Sequence, residues 1–257
     1  MPDGFGPRAV VAVLIPAQNS NMQPEYEMMR PEGISNQMYR FNITSPDTVG
    51  EAVLDVVPHT LKCWPDMIVG GNSLEMRDWS VEKQAWYTGE FAERAEGKPF
   101  VLATDAVIAA LRTVGAKRVG MMSPLSVENS KSAVDYYTAM GFDIAAATAL
   151  LLDHPVNAVN VPMGRVVEAF EEVDSPDIDT LLHVGGSLGI VPLVQELEDK
   201  FEQEVEREDL GTAPVVALRP SRRTVESQPQ LKAKRPMGGK PSILIGIGLL
   251  WRAGLPF

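Results

Sequence analysis

Two short stretches of this chain combine glycine with small polar side chains in a pattern suited to holding an anion. Residues 65–76 read PDMIVGGNSLEM and residues 179–189 read DTLLHVGGSLG. In each, an apolar run breaks into two glycines, Gly70-Gly71 and Gly185-Gly186, followed by Asn72-Ser73 or Ser187. Glycine lets the backbone take positive φ and lets a ligand approach bare N–H groups. A helix starting just beyond adds a partial positive field. Two such loops facing each other would form a small anion pocket. Groups able to move a proton are sparse around them. Glu75 follows the first loop directly, where burial would raise its pKa toward a useful range; the same position also suits a surface carboxylate at a helix start. His183 precedes Val184, and strand alternation turns the two to opposite faces, so His183 reads as packed or partly exposed. His59 beside Pro58, His154 before Pro155 and the single thiol, Cys63, read as structural. Three scattered histidines and one cysteine give no metal-ligand spacing, and neither GxGxxG nor a Walker loop is present, so no metal and no cofactor is expected.

The elements that must position these loops alternate apolar strands with amphipathic helices, the signal for βα units and mainly parallel sheets. Strands are expected over residues 9–15, 35–41, 67–69, 100–103, 117–122, 142–147 and 181–184, with a last one within 242–250. Helices are expected over 22–29, 46–62, 81–95, 106–114, 127–140, 164–172 and 191–207. Pro58 should kink or shorten the second of these, Thr104 or Asp105 should cap the fourth, and Gly115 should stop it. The acidic positions of residues 191–207 read as a solvated face.

Length and charge bound the rest. A chain of 257 residues with 45% hydrophobic content can bury one or two sizeable cores. A formal net charge of −11 argues against nucleic acid, whose phosphates need a basic surface. The apolar runs near both ends are too short for a membrane span. With one cysteine no internal disulfide can form, and a cytoplasmic setting is expected. Residues 219–239 stand apart: Arg219, Arg222, Arg223, Lys232, Lys234 and Arg235 face a single acid, Glu226, with three prolines and no apolar period. They read as a basic, proline-containing insertion, either a lid or partner contact or a tolerated loop.

The ordered motifs PAQNS, VGGNSLEM, ATDAVIAALRTVGAKRVGMMSP, YYTAMGFDI, LLHVGGSLG and GKPSILIGIGLLWRAGLP resemble the aspartate/glutamate racemase superfamily. The resemblance is nearest to its maleate cis-trans isomerase and arylmalonate decarboxylase branch, and it covers most of the chain outside the insertion. It implies an α/β protein of two Rossmann-like halves, related by a pseudo-two-fold axis, with the active site in the cleft between them. The halves would be 1–115 and 116–218, with 240–257 packing back onto the first. The resemblance also implies a homo-oligomer.

By the same resemblance, the racemases and isomerases place a cysteine in each glycine loop, and the decarboxylase keeps only the second. Those positions fall here on Gly71 and Val184, neither of which carries a thiol. Asn19 would bind a substrate carboxylate, and Asn72 and Ser73 would occupy the oxyanion position. Ser123 would add a donor, although Leu125 stands where the family often has Tyr, and Gly185, Gly186 and Ser187 would mirror the set from the other half. Convergent donors of this kind stabilise a carboxylate or an enediolate without a cofactor. The expected function is a cofactor-independent isomerase or decarboxylase-like enzyme for a small carboxylic or dicarboxylic acid. The alternatives are a non-catalytic carboxylate-binding relative, or a hydrolase in which Glu75 activates water.

Overall fold

In the computed structural model, which describes residues 4–207 and 242–245, the apolar runs become strands of two parallel sheets. Strands β1 (Ala9–Pro16), β2 (Ile34–Phe41), β3 (Met67–Gly70) and β4 (Phe100–Leu102) form the first, in the order β2-β1-β3-β4. Strands β5 (Arg118–Ser123), β6 (Asp143–Ala149), β7 (Thr180–His183) and β8 (Ser242–Ile245) form the second, in the order β6-β5-β7-β8. The strand order is the same in both. The echo between the two glycine loops therefore belongs to a repeat of the whole βα half. Strands β3 and β7 are buried along their full length, as continuous apolar runs covered on both faces must be.

Helices α1 (Met22–Met29), α2 (Val49–Thr60), α3 (Val81–Arg94), α4 (Ala103–Val114), α5 (Val127–Ala139), α6 (Met163–Glu171) and α7 (Val194–Arg207) cover the sheets. On one face of the first sheet, Val53, Leu54 and Val57 of α2 join Tyr87 and Phe91 of α3 over Leu14 and Ile68. On the other, Tyr26 of α1 packs with Val11, Val13 and Val69. Helix α4 follows β4 but buries Val107 and Leu111 against Val119, Met121 and Leu182 of the second sheet, together with Tyr137 of α5. The far face of that sheet carries Phe170 of α6 and Leu197 of α7.

Several boundaries differ from the expectations for physical reasons. Helix α2 runs through Pro58. So near the C-terminus the missing N–H removes only one helical bond, and the chain then tightens into a 3₁₀ turn, Leu61–Cys63, that Trp64 ends at φ 52°. Helix α4 starts at Ala103, directly off β4, with Leu102 as its N-cap and no side-chain cap, so Thr104 and Asp105 lie in its first turn instead of capping it. Gly115 ends α4 at φ 75°, as expected. Pro192 sits in a 3₁₀ turn, Val191–Leu193, which delays the start of α7. Ser242–Ile245 pair with β7 in the second sheet, whereas the expectation had the last segment on the first half. The basic segment 219–239 and residues 246–257 lie outside the described residues. Among the described residues no helix is long and apolar enough to cross a membrane.

Candidate active site

The inner strands of the two sheets end in the same way. Past β3, the Gly71 N–H donates to the Leu14 carbonyl at 2.9 Å; past β7, the Val184 N–H donates to the Met122 carbonyl at 3.0 Å. Both residues thus step off the C-terminal edge of their sheets at equivalent points. Such edges are where open parallel sheets receive ligands. A cavity lies between them. The first half contributes Tyr26, Gly71 and Ser73, with Ala103 and Val107 of α4; the second contributes Tyr137, His183, Val184, Gly185 and Gly186. At φ 121° Gly185 takes a backbone conformation that a side chain rarely adopts, so this turn depends on glycine.

A short segment of the first half holds the second loop in place. The Asn19 amide donates from Nδ2 to the Gly186 carbonyl at 2.7 Å, while its Oδ1 accepts from the N–H groups of Asn21 and Met22. Asn21 Nδ2 donates to the Ser187 carbonyl at 2.6 Å. One turn later, Glu25 Oε1 accepts from the Val191 N–H at 2.8 Å. Arg40 of β2 steadies the segment from behind, donating to the Asn19 carbonyl at 2.8 Å. Three side chains therefore cross from one half to the other beside the cavity.

Of the residues singled out from the sequence, Gly71, Ser73, Val184, Gly185 and Gly186 meet at the cavity wall. Asn19 is buried but engaged in the links just described. Asn72 adjoins the wall in sequence, and its buried Nδ2 has no partner; the same holds for Ser123 Oγ at the end of β5, next in register to the strand that carries His183. Ser187 enters the cross-link through its backbone carbonyl. Glu75 occupies the middle of the 3₁₀ turn Leu74–Met76, and its side chain is not among those described. Cys63 lies away from the wall, its thiol turned to the Thr60 carbonyl at 3.2 Å. His59 and His154 are exposed. No cysteine, lysine or arginine lines the cavity among the described residues.

Sequence reasoning missed Tyr26, Ala103, Val107, Tyr137 and His183. The first four sit at ordinary core positions of their helices, and nothing in their local pattern separates a wall residue from a packed one. The structure buries His183, as the packed reading had it, and Val184 shares the Leu182 side of the second sheet, as strand alternation requires; both residues nevertheless border the cavity, which opens where β7 ends. His183 is 2% exposed, and its Nε2 has no hydrogen-bond partner. Burial pushes its pKa down to about 4, so the ring is neutral near pH 7. Burial acts in the opposite direction on Glu25, raising it to about 7 against the smaller lowering effect of the Val191 and Ile190 N–H groups. Burial, and secondarily the Glu25 charge, raises the Tyr26 phenol well above its usual value.

The family model for arylmalonate decarboxylase matches residues 85–226, more than half of the chain. The chain belongs to the arylmalonate decarboxylase family. A maleate isomerase of Geobacillus stearothermophilus is 21% identical over 111 residues, which span 43% of this chain and 44% of that protein, so the match takes in less than half of the relative. Among solved structures, a maleate cis-trans isomerase of Nocardia farcinica with a covalently bound succinylcysteine intermediate superimposes with a TM-score of 0.66. It is 20% identical, and the match covers 75% of this chain and 84% of that one. An arylmalonate decarboxylase superimposes with a TM-score of 0.64 at 16% identity, over 95% of this chain and 90% of that one. At these identities the structural matches establish the shared fold.

Proposed function

We propose that this member of the arylmalonate decarboxylase family is a cofactor-independent enzyme of the isomerase or lyase kind, acting on a small carboxylic or dicarboxylic acid between the two glycine loops. The observation that carries the reading is the cavity itself, built from two equivalent loops that present Gly71 and Ser73 on one side and Val184, Gly185 and Gly186 on the other. Donors fixed before the substrate arrives stabilise charge that develops on a carboxylate or enediolate oxygen. In this reading Ser73, Asn72, Ser123 and the N–H groups around Gly185, Gly186 and Ser187 supply the donors. Gly71 and Val184 mark the two faces from which the thiols of relatives act. Asn19 sets the spacing of the loops, and Glu75 is a candidate base. The maleate isomerase and decarboxylase relatives support the substrate class. The cytoplasmic, homo-oligomeric setting expected from the cysteine count and the family is part of the same reading, and sedimentation velocity tests the assembly.

NMR in D2O tests the chemistry, with maleate, aspartate, glutamate and phenylmalonate offered to the wild type and to Glu75→Gln. Turnover or α-deuteration of any of these acids supports an enzyme, and its loss in Glu75→Gln assigns the base. A second reading, a carboxylate-binding relative without chemistry, is favoured by the absence of a thiol from the described cavity wall. Binding without exchange or turnover of any acid would select it.

A further inference from the structure

A carboxylate placed in this cavity would find hydrogen-bond donors but no lysine or arginine on the described wall. Withdrawing an anion from water without a partner of opposite charge is strongly unfavourable. One wall residue can acquire a positive charge. We propose that His183 becomes the counter-ion of the bound carboxylate, so that each acid that binds as an anion brings one proton from solvent onto the His183 ring. The proposal rests on the carboxylate reading of the site given above and adds the means by which that charge is balanced.

His183 is suited to this because the residue borders the cavity while its imidazole is buried and leaves Nε2 unpaired. Burial alone lowers the pKa of the ring, with no charged neighbour contributing. An anion alongside reverses the balance, since an opposite charge at close range favours the protonated ring. The step conserves charge and atoms: the carboxylate enters as the anion, a buffer acid gives up one proton, and a ring nitrogen gains it. With a monocarboxylate the site then holds an imidazolium–carboxylate pair of zero net charge, and a second carboxylate, as in succinate, keeps its own charge.

Other titratable groups surround β7. Tyr26 and Tyr137 share the cavity wall. Glu25 stands beside Tyr26 and is bonded to Val191. Of the elements packed on the second sheet, α4 carries Asp105 and Arg112, both exposed, and α7 carries the buried Glu198, while the partly buried Arg77 follows the first loop. At its far end β5 carries the exposed Arg118, and β8 has no charged residue. Glu75 follows the first loop. Among these, Glu25 and Glu75 are the rival sites for a proton taken up on binding.

Calorimetry with phenylacetate and succinate separates the possibilities, because these acids offer one and two carboxylates with no isomerisable or decarboxylating bond. Titrations at pH 7 in PIPES and in imidazole, bulky or cationic buffers whose ionisation heats differ, give the number of protons taken up. The expected result is about one proton per site, with Kd rising up to about tenfold per pH unit between the pKa of the free ring and that of the complex. His183→Gln should abolish the uptake and flatten the pH dependence, while Glu25→Gln and Glu75→Gln should keep both. In the wild type, the His183 ring resonances should move to imidazolium positions on saturation with ligand. That measurement decides the matter alone if His183→Gln fails to fold. Binding without proton uptake, uptake that survives in His183→Gln, or a ring that stays neutral in the complex overturns the proposal and leaves the carboxylate reading intact. Failure of every acid to bind at millimolar concentration overturns both.

Discussion

A Cβ added to Gly71 would stand 2.6 Å from the Leu14 carbonyl oxygen and 2.9 Å from Cε of Met22. The methionine end can move, but the carbonyl is fixed by the bond it accepts from the Gly71 N–H. Overpacking against backbone typically costs about 1–3 kcal/mol, so Gly71→Ala should lower stability by that amount in urea denaturation and should widen the gap between β1 and the first loop. The same crowding bears on Gly71→Cys, since a thiol returned to this position must first displace β1. Gly89 gives the opposite case. It lies exposed within α3 with nothing within 4 Å of its would-be Cβ. Replacing it by alanine should stabilise the protein by about 0.5–1 kcal/mol, through helix propensity alone. Equal effects at the two glycines in denaturation experiments would refute the steric account of the first loop.

Secondary elements were the part of this chain most legible in its sequence, because burial and periodicity are local. The β-branched run of β1, the Gly115 stop of α4 and the Val-Gly-Gly turns each appear where the pattern puts them. The failures were contacts between elements. Nothing local to residues 103–114 says that α4, next to β4 in sequence, packs on the other sheet. Nor does the motif PAQNS reveal that Asn19 spends its amide on Gly186, a partner 167 residues away. That link yields a prediction at its own scale. Asn19→Asp keeps the Oδ1 acceptor for the Asn21 and Met22 N–H groups but replaces the donor to Gly186 with a carboxylate oxygen facing a carbonyl. A lost donor in a buried site costs about 1–3 kcal/mol. We expect that loss in denaturation, together with weaker binding of succinate as the second loop loosens. Asn21→Ala, which removes the parallel link to Ser187, should act in the same direction. Unchanged affinity in both variants would show that the loops hold their spacing without this segment.

At the scale of the whole molecule, the two buried titratable groups beside the cavity shape the pH dependence of stability in opposite directions. For Glu25 the folded pKa, about 7, lies above the ordinary carboxyl value of 4.5. The folded state therefore holds a proton that the unfolded chain has released, and stability falls as pH rises from about 4.5 to 7. His183 has a folded pKa of about 4, below the ordinary imidazole value of 6.5. Here the unfolded chain holds the extra proton, so stability rises over about pH 4 to 6.5 and is fully present above that. Each group alone contributes a slope of at most about 1.4 kcal/mol per pH unit. Between about pH 4.5 and 6.5 the two slopes cancel, and from 6.5 to 7 the falling contribution of Glu25 acts alone. Relative to the wild type, His183→Gln should therefore expose a stability that declines across pH 4.5–6.5, and Glu25→Gln one that climbs over the same range. Taking differences between variants removes the exposed carboxylates common to all three proteins, including Glu172 and Asp177, whose hydrogen bonds hold them below their usual values. Urea midpoints measured at half-unit pH steps carry the test. Parallel pH profiles for the wild type and both variants would mean that neither group is buried in the folded protein as its place between the halves requires, whereas slopes of opposite sign would show that folding is linked to the protonation of both groups beside the cavity.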